Sequence, residues 1–464
     1  MNDGSPAFQV TGELLARYDR PGPRYTSYPT APEFSGSFGA SDYAARLAGA
    51  AERPDDPLSL YVHVPFCEHR CHFCGCHVVI TKREDVVRGY LDRLKREIAK
   101  VAGALGERKN VLQLHWGGGT PTHLTPDQMR ELMATITARF RLLPEAEVAI
   151  EVDPRVTTAA HVDALAELGF NRLSMGVQDF TPEVQTAIGR EQTLEQTLAL
   201  CAHARSVGLE DVNVDLVYGL PKQTVEGFRK NLDEVIALRP GRAAVYSYAH
   251  VPWIRPNQRR IDEHDLPDRE TKFALFASAI DAFTSAGYLQ IGMDHFARPD
   301  DELAHARLDG TLTRNFMGYT VKAAPDLVAF GISAIGEVDG AYVQNAKKLS
   351  DYYRALDADE YPVEKGFVLD DDDRLRRTVI HSLMCNFELD LDMIRERFGV
   401  DFDTYFAAEN RELAETVDAD FYEREGRKMR ILPKGQLFIR NIVMVYDRYL
   451  KQASREKPIF SRTV

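Results

Sequence analysis

Cys67, Cys71 and Cys74 lie in the run Tyr61-Val-His-Val-Pro-Phe-Cys-Glu-His-Arg-Cys-His-Phe-Cys-Gly-Cys76. Three thiolates in one short loop can ligate three irons of a [4Fe–4S] cluster. The fourth iron then stays open to chelate the amino and carboxylate groups of S-adenosylmethionine (SAM), and an electron from the cluster can cleave the sulfonium to a 5′-deoxyadenosyl radical. The cofactors carry that chemistry and the protein positions them. A structural zinc cage is the blander alternative, but zinc sites usually join two separated ligand pairs, and no distant Cys or His pair in zinc spacing accompanies Cys67 to Cys76. Six cysteines in 464 residues, four of them crowded together, also make a poor disulfide framework.

Such a loop needs a rigid frame behind it. From residue 58 the chain alternates short β-rich runs with amphipathic helical stretches, the pattern of βα units and a parallel sheet. Strands are expected at Leu58–Val64, Val111–Trp116, Glu147–Val152, Arg172–Gly176, Val212–Val217 and Ala243–Tyr248, and helices at Glu84–Ala102, Pro126–Phe140, Ala159–Leu168, Leu194–Val207 and Val225–Ala237. Six units predict an α/β fold, a partial (β/α)6 TIM-like barrel, in which ligands bind at the carboxyl ends of the strands. Gly117-Gly-Gly119 and Gly219-Leu-Pro221 mark two such ends. A single glycine there is as readily a turn as a ligand contact; three in a row shift the balance toward a ligand.

The barrel with its extensions is expected over residues 58–365, preceded by an arm over 1–57 that contacts the substrate cleft. A mostly helical domain over 366–464 follows, with a small hairpin from Lys428 turning at Lys434-Gly435. Helices with a hairpin invite comparison with a winged DNA-binding module, but the segment is acidic and reads better as a packed lid or substrate-facing domain. The whole chain carries 57 Lys plus Arg against 70 Asp plus Glu, a formal net charge of −13, which opposes binding to nucleic acid or an anionic membrane. No basic leader followed by an apolar stretch opens the chain, and no apolar run approaches about 18 residues. A cytoplasmic monomer is expected, and a reducing compartment suits free thiolates.

The C-x3-C-x2-C spacing behind a strand is similar to that of the radical SAM superfamily. With further motifs, the chain from residue 20 to residue 450 resembles the oxygen-independent coproporphyrinogen III oxidases, also called coproporphyrinogen III dehydrogenases. The motifs are Pro23-Arg-Tyr-Thr-Ser-Tyr-Pro-Thr30, His115-Trp-Gly-Gly-Gly-Thr-Pro-Thr122, Tyr218-Gly-Leu-Pro-Lys-Gln-Thr224, Tyr248-Ala-His250, Gly292-Met-Asp-His-Phe-Ala-Arg-Pro-Asp-Asp-Glu302, Arg314-Asn-Phe-x-Gly-Tyr-Thr320 and Asn441. The resemblance implies that propionates on rings A and B of coproporphyrinogen III become vinyls, giving protoporphyrinogen IX. An electron donor and an electron acceptor, both unidentified, are implied as partners.

The resemblance also implies two SAM molecules. Tyr61, Gly118, Glu151 and Ile335 would contact the one on the cluster; Phe73, Gly119, Thr120, Gln178, Arg190, Asp215 and Ala249 would line the second. An arginine suits a carboxylate, and an aspartate suits ribose hydroxyls. Phe73, Ile335 and Ala249 would otherwise read as ordinary core, whereas polar Glu151, Gln178 and Asp215 beside barrel strands need partners. Tyr61, His63 and Cys76 are the catalytic candidates. Cys76 is either a packing thiol or a hydrogen or electron donor near the substrate, and His63 is either a ligand contact or a structural histidine. Arg24, Tyr25 and Tyr28 are candidates for propionate and pyrrole contacts. Met317 stands where relatives often carry Gln, and a thioether cannot replace the amide's hydrogen bonds.

Three other readings compete. A haem-trafficking relative would lack the Arg-Tyr-Thr-Ser-Tyr-Pro-Thr stretch and Cys76; a radical SAM enzyme acting on another tetrapyrrole would share the cluster; a zinc-stabilised structural protein would not.

Overall fold

The computed structural model describes residues 10–452 and 460–463. The chain divides into two compact units, one of Met1–Ala31, Leu216–Val321 and Asp370–Val464, the other of Pro32–Asp215 and Lys322–Leu369.

The second unit is built on a sheet whose strands we number along the chain: β1 (Leu58–Val64), β2 (Asn110–Gly118), β3 (Arg141–Val152), β4 (Arg172–Gln178), β5 (Asp211–Tyr218, its last residues passing into the first unit), β6 (Asp326–Phe330), β7 (Ile335–Val338), β8 (Ala341–Asn345) and β9 (Val363–Val368). Their order is β9-β8-β7-β6-β1-β2-β3-β4-β5. Strands β6, β1, β2, β3 and β4 are parallel to one another, and β6 to β9 turn back as an antiparallel meander.

Period-two alternation makes these strands two-faced. Leu58, Leu60, Val62 and Val64 of β1 are fully buried and share one core with Val87, Tyr90, Leu91, Leu94 and Ile98 of the helix Glu84–Ala104, each worth about 1.5–3 kcal/mol of burial. The opposite face carries Ser59, Tyr61 and His63, in register with Gln113, His115 and Gly117 of β2. That polar face is knitted: Ser59 Oγ donates to Gln113 Oε1 at 3.3 Å, Gln113 Nε2 donates to Glu147 Oε1 at 2.9 Å, and Arg172 Nε lies 3.1 Å from Glu147 Oε2.

The amino ends of the strands are locked by ions. Arg108, fully buried, pairs with Asp326 at 2.5 Å and donates to the carbonyls of Ala50, Asp56 and Pro57. Arg53 reaches the same Asp326 oxygen at 2.7 Å. Removing one partner of so buried an ion pair costs far more than removing one of a surface pair would.

The expected helices are present, with ends that differ by a few residues. Thr125 and Thr193 start two of them through capping boxes with Gln128 and Gln196. The helix at Pro126 stops at Thr137, and β3 begins at Arg141 rather than Glu147. Its ladder with β2 jumps from Leu142 to Glu147, so the residues between, including Pro144, bulge out and break the pattern.

In the first unit the strand Arg242–Ser247 pairs antiparallel with His295–Ala297, which pairs with Leu289–Ile291. Asp370 caps the helix Asp371–Asn386 by accepting from Asp373 N at 2.7 Å, which explains the acidic run. The predicted hairpin exists with a different turn. Tyr422–Glu425 pairs with Lys428–Ile431 around Gly426, whose φ is 58°, and Glu388–Asp390 adds a third strand. Lys434-Gly435 lies instead in the short helix Pro433–Gln436, because Pro433 suits a first helical turn.

Tyr25 and Tyr28 belong to a hydrophobic core with Leu375, Val379 and Tyr446. Tyr25 donates to Asp447 Oδ2 at 2.9 Å, and Tyr28 Oη accepts from Arg448 N at 3.2 Å. Their burial takes them out of the set of substrate contacts. Arg24 is ion-paired with Asp294, and Asn441 Nδ2 donates to the Tyr18 carbonyl at 2.8 Å.

Candidate active site

Strands β1 to β5 and the loops at their carboxyl ends carry most of the residues singled out in the sequence; Ile335, Ala249 and Arg24 lie elsewhere. The cysteine loop leaves β1 through Phe66–Cys67, which pairs with Val79–Ile80. It is pinned again where His72 N donates to Ile188 O at 2.8 Å and Thr81 N donates to Cys67 O at 3.2 Å. Cys71 is buried, Cys67 and Cys74 are half-buried, and Cys76 is exposed. Cys67 Sγ lies 3.5 Å from Thr120 Oγ1, and Cys76 N donates to Cys74 Sγ at 3.3 Å.

Two arginines flank Cys71. Arg155 Nη2 lies 3.7 Å and Arg190 Nη1 3.8 Å from its Sγ. Both grip Asp153, at 2.7 and 2.8 Å, and those guanidiniums hold its carboxyl down at about 2 against burial. Arg190 also donates to Gly176 O at 2.7 Å, and its buried Nε has no partner among the described residues. Arg190 was expected from the sequence; Asp153 and Arg155 were not. The signal available was Glu151-Val-Asp-Pro-Arg155, charged residues running on past β3 with Glu151 and Asp153 at alternate positions.

Tyr61 and His63 form one relay on β1. The Tyr61 ring stacks on His115, with 6.0 Å between centroids, and its hydroxyl donates to His63 Nδ1 at 3.1 Å. His63 Nε2–H donates to His77 O at 3.0 Å, which fixes the neutral tautomer. Burial pushes the His63 pKa down to about 4 and Tyr61 well above its ordinary value. Glu151 accepts from Gly118 N at 3.1 Å and from His115 Nε2 at 3.4 Å.

The glycine triplet answers to packing. A Cβ on Gly118, whose φ is 115°, would meet His63 Cε1 at 2.5 Å, and one on Gly119 would meet the Pro65 carbonyl at 2.6 Å. These positions let β2 pass directly beside the cysteine loop. Thr120 is buried and Phe73 half-buried.

Gln178 ends β4 with φ 68°, a left-handed conformation uncommon for a residue with a side chain. Asp215 Oδ2 accepts from Ser174 Oγ at 3.2 Å, and burial beside Glu151 lifts its pKa to about 7. Ile335 opens β7, half-buried. Ala249 lies in the first unit, where its carbonyl accepts from Gln258 Nε2 at 3.0 Å. Arg24, Asp294 and His295 form a separate cluster there, with His295 Nδ1 2.7 Å from Asp294 Oδ1.

Three thiols in one loop, one buried between two guanidiniums, fit an anionic cuboidal cluster that takes one thiolate per iron. The strand order and that loop define the class: residues 61–235 match the Radical SAM superfamily, and residues 369–438 match the HemN C-terminal domain. Oxygen-independent coproporphyrinogen III oxidases from Salmonella typhimurium and Escherichia coli are each 45% identical over 97% of this chain and 98% of their own, and the one from Synechocystis is 42% identical over 99% of both. A solved structure, "Coproporphyrinogen III oxidase (HemN) from Escherichia coli is a Radical SAM enzyme", superposes with a TM-score of 0.88 over 92% of this chain and 97% of that one. The chain belongs to the family of oxygen-independent coproporphyrinogen III oxidases. It is a radical SAM oxidoreductase with the partial-barrel fold, and its cofactors are a [4Fe–4S] cluster and SAM.

Proposed function

We propose that this chain converts the ring A and ring B propionates of coproporphyrinogen III to vinyls without oxygen, giving protoporphyrinogen IX for haem synthesis. The observation that carries the reading is the thiol of Cys71 held between Arg155 and Arg190 at the carboxyl end of a parallel sheet, in a chain alike to coproporphyrinogen oxidases along nearly its whole length.

The cluster with SAM supplies, when bound, the radical that removes a hydrogen from the propionate β-carbon; carbon dioxide and one electron then leave the substrate. Cys67, Cys71 and Cys74 would hold the cluster through their thiolates. The Tyr61 ring, the Gly118 carbonyl, Glu151 and Ile335 would hold the SAM that serves the cluster. Phe73, Gly119, Thr120, Gln178, Arg190 and Asp215 are our assignment for a second SAM.

Tyr61 and His63 are both held neutral near pH 7, His63 by a pKa lowered to about 4 and Tyr61 by one raised well above its ordinary value, so the pair orients the site without taking up or releasing protons there. The exposure of Cys76 beside Cys74 supports the reading of this thiol as a hydrogen or electron donor rather than a packing thiol. The acidic net charge supports a protein free of nucleic acid. Among the described residues no helix is long and apolar enough to cross a membrane. We take the working form as a cytoplasmic monomer that draws electrons from a separate donor and passes them to a separate acceptor.

The test is anaerobic turnover of the cluster-reconstituted protein with coproporphyrinogen III, SAM and a reductant. Protoporphyrinogen IX with at least one 5′-deoxyadenosine per vinyl is expected. Stoichiometric haem binding without turnover would instead favour the haem-trafficking reading.

A further inference from the structure

Glu97, two turns beyond Tyr90 on one face of the helix Glu84–Ala104, is 2% exposed and lies outside the residues assigned to cofactor or substrate. Its Oε2 accepts from Gly331 N at 2.8 Å and from the Tyr352 hydroxyl at 2.5 Å, and its Oε1 accepts from Asn345 Nδ2 at 2.6 Å. Asn345 Nδ2 also donates to Gly331 O at 2.9 Å, so this carboxylate and its amide partner hold both backbone groups of Gly331. The Tyr90 hydroxyl donates to His63 O at 2.6 Å and accepts from Ile332 N at 3.2 Å. Glu97 and Tyr90 thereby tie the carboxyl end of β1 to the turn that joins β6 to β7, and Ile335 begins where that turn ends.

A carboxylate buried without a counter-ion is costly, and among the described residues the partners of Glu97 are three donors and no cation. The titratable groups facing it are tyrosines: Tyr43 from the helix Ala40–Ala51, Tyr90 from its own helix and Tyr352 from the helix Leu349–Asp357. Burial raises all three, so they stay neutral near pH 7. Burial also pushes the Glu97 carboxyl up to about 7, against the pull of its donors. The turn it holds needs fixing from outside. Gly331 has φ 98°, and a Cβ there would meet the His63 carbonyl oxygen at 2.7 Å; Ser333 is left-handed at φ 58°. Such a conformation in a residue with a side chain persists where its surroundings impose it.

We infer that Glu97 is a positioning residue for SAM binding: by holding Gly331, while Tyr90 holds His63 and Ile332, it sets Ile335 against the Tyr61 and His63 pair across the cofactor site. The inference rests on the reading above, which assigns Tyr61 and Ile335 to the SAM that serves the cluster. Protonation of Glu97 replaces charge-assisted hydrogen bonds by weaker neutral ones. SAM affinity therefore falls as the pH drops through about 7.

The experiment is anaerobic equilibrium dialysis of SAM against the cluster-loaded full chain, without tetrapyrrole. Glu97→Gln keeps the side-chain shape and turns an amide N–H2 toward donors. It should weaken SAM binding about tenfold, the worth of one hydrogen bond to a charged group, at unchanged iron content and circular dichroism. Tyr352→Phe removes a single donor from the charged carboxylate, so it should move the pH at which SAM affinity falls upward, and it decides the matter if Glu97→Gln does not fold. Asp215, lifted to about 7, titrates in the same range in both proteins, so that displacement belongs to Glu97. Unchanged SAM affinity in a folded Glu97→Gln protein, or superimposed pH profiles of Tyr352→Phe and wild type, would reduce the network to packing and overturn the inference. Ile335→Ala tests the assignment beneath it: undiminished SAM affinity there would remove the contact and the inference with it, whereas weakened binding there beside an unaffected Glu97→Gln would sink the inference alone. None of these measurements uses coproporphyrinogen, so a failure of the proposed reaction is told apart from both.

Discussion

Arg155 and Arg190 close on the same oxygen of Asp153, at 2.7 and 2.8 Å, and each also reaches Cys71 Sγ. One buried carboxylate therefore holds two guanidiniums against one cluster ligand. A cluster gains a negative charge when it is reduced, so these cations favour the reduced form. Arg155→Met is expected to lower the cluster potential by about 60 mV or more, a tenfold change for one electron. A redox titration followed by EPR checks this, and an unchanged potential would show that the pair only braces the loop.

The cysteines divide by burial and position. Cys201 and Cys385 are buried at 2% and 1% exposure in hydrophobic cores. Cys71→Ala is expected to abolish cluster assembly, since two thiolates cannot hold the cuboidal core, whereas Cys201→Ala keeps it. Iron and sulfide analysis decides, and a brown Cys71→Ala protein with full iron would sink the assignment.

Gly119→Ala is expected to destabilise the cluster-free protein by about 1–3 kcal/mol. Its Cβ would strike backbone atoms of Pro65 and Phe66 at 2.6–2.7 Å, which cannot swing aside as a side chain would. Gly103→Ala, with nothing within 4 Å of its Cβ, should stabilise by up to about 1 kcal/mol. Chemical denaturation of the two variants measures the contrast; equal stabilities would show that the strand end relaxes freely.

Asp215→Asn tests a conflict between stability and binding. Burial raises the folded-state pKa to about 7, so the folded protein binds this proton more tightly than the unfolded chain does. Relative to the Asn variant, stability is full below about pH 4 and declines as the pH rises toward 7. At pH 8 the ligand-free Asn variant should therefore be the more stable by at least about 1 kcal/mol, while its SAM affinity falls. Denaturation midpoints against pH, with SAM binding by dialysis, test both halves. A flat difference across pH 4–8 would remove Asp215 as the titrating group.

Local signals carried much of this molecule. The cysteine loop, the two-faced strands and the capping threonines lie within short windows, and spacing and pattern express them directly. What escaped was long-range. Asp153 and Arg155 draw their meaning from Cys71 and Arg190, which no window contains. Tyr25 and Tyr28, polar aromatics in a motif, are consumed by a core whose other members lie beyond residue 370. The hairpin was placed one element late because Lys434-Gly435 looks like a turn, while Gly426 makes the actual one and Pro433 starts a helix. The triple glycine reads as a ligand signal in sequence; in the fold it first clears His63 and the Pro65 carbonyl.

The most direct test follows a hydrogen from substrate to cofactor. Coproporphyrinogen III deuterated at the propionate β-carbons is incubated anaerobically with the reconstituted protein, SAM and a reductant, and 5′-deoxyadenosine is analysed by mass spectrometry alongside the vinyl products. Deuterium in the deoxyadenosine, with protoporphyrinogen IX formed, is the predicted result. Vinyl products accompanied by unlabelled deoxyadenosine, or labelled substrate recovered intact while SAM is cleaved, would contradict it.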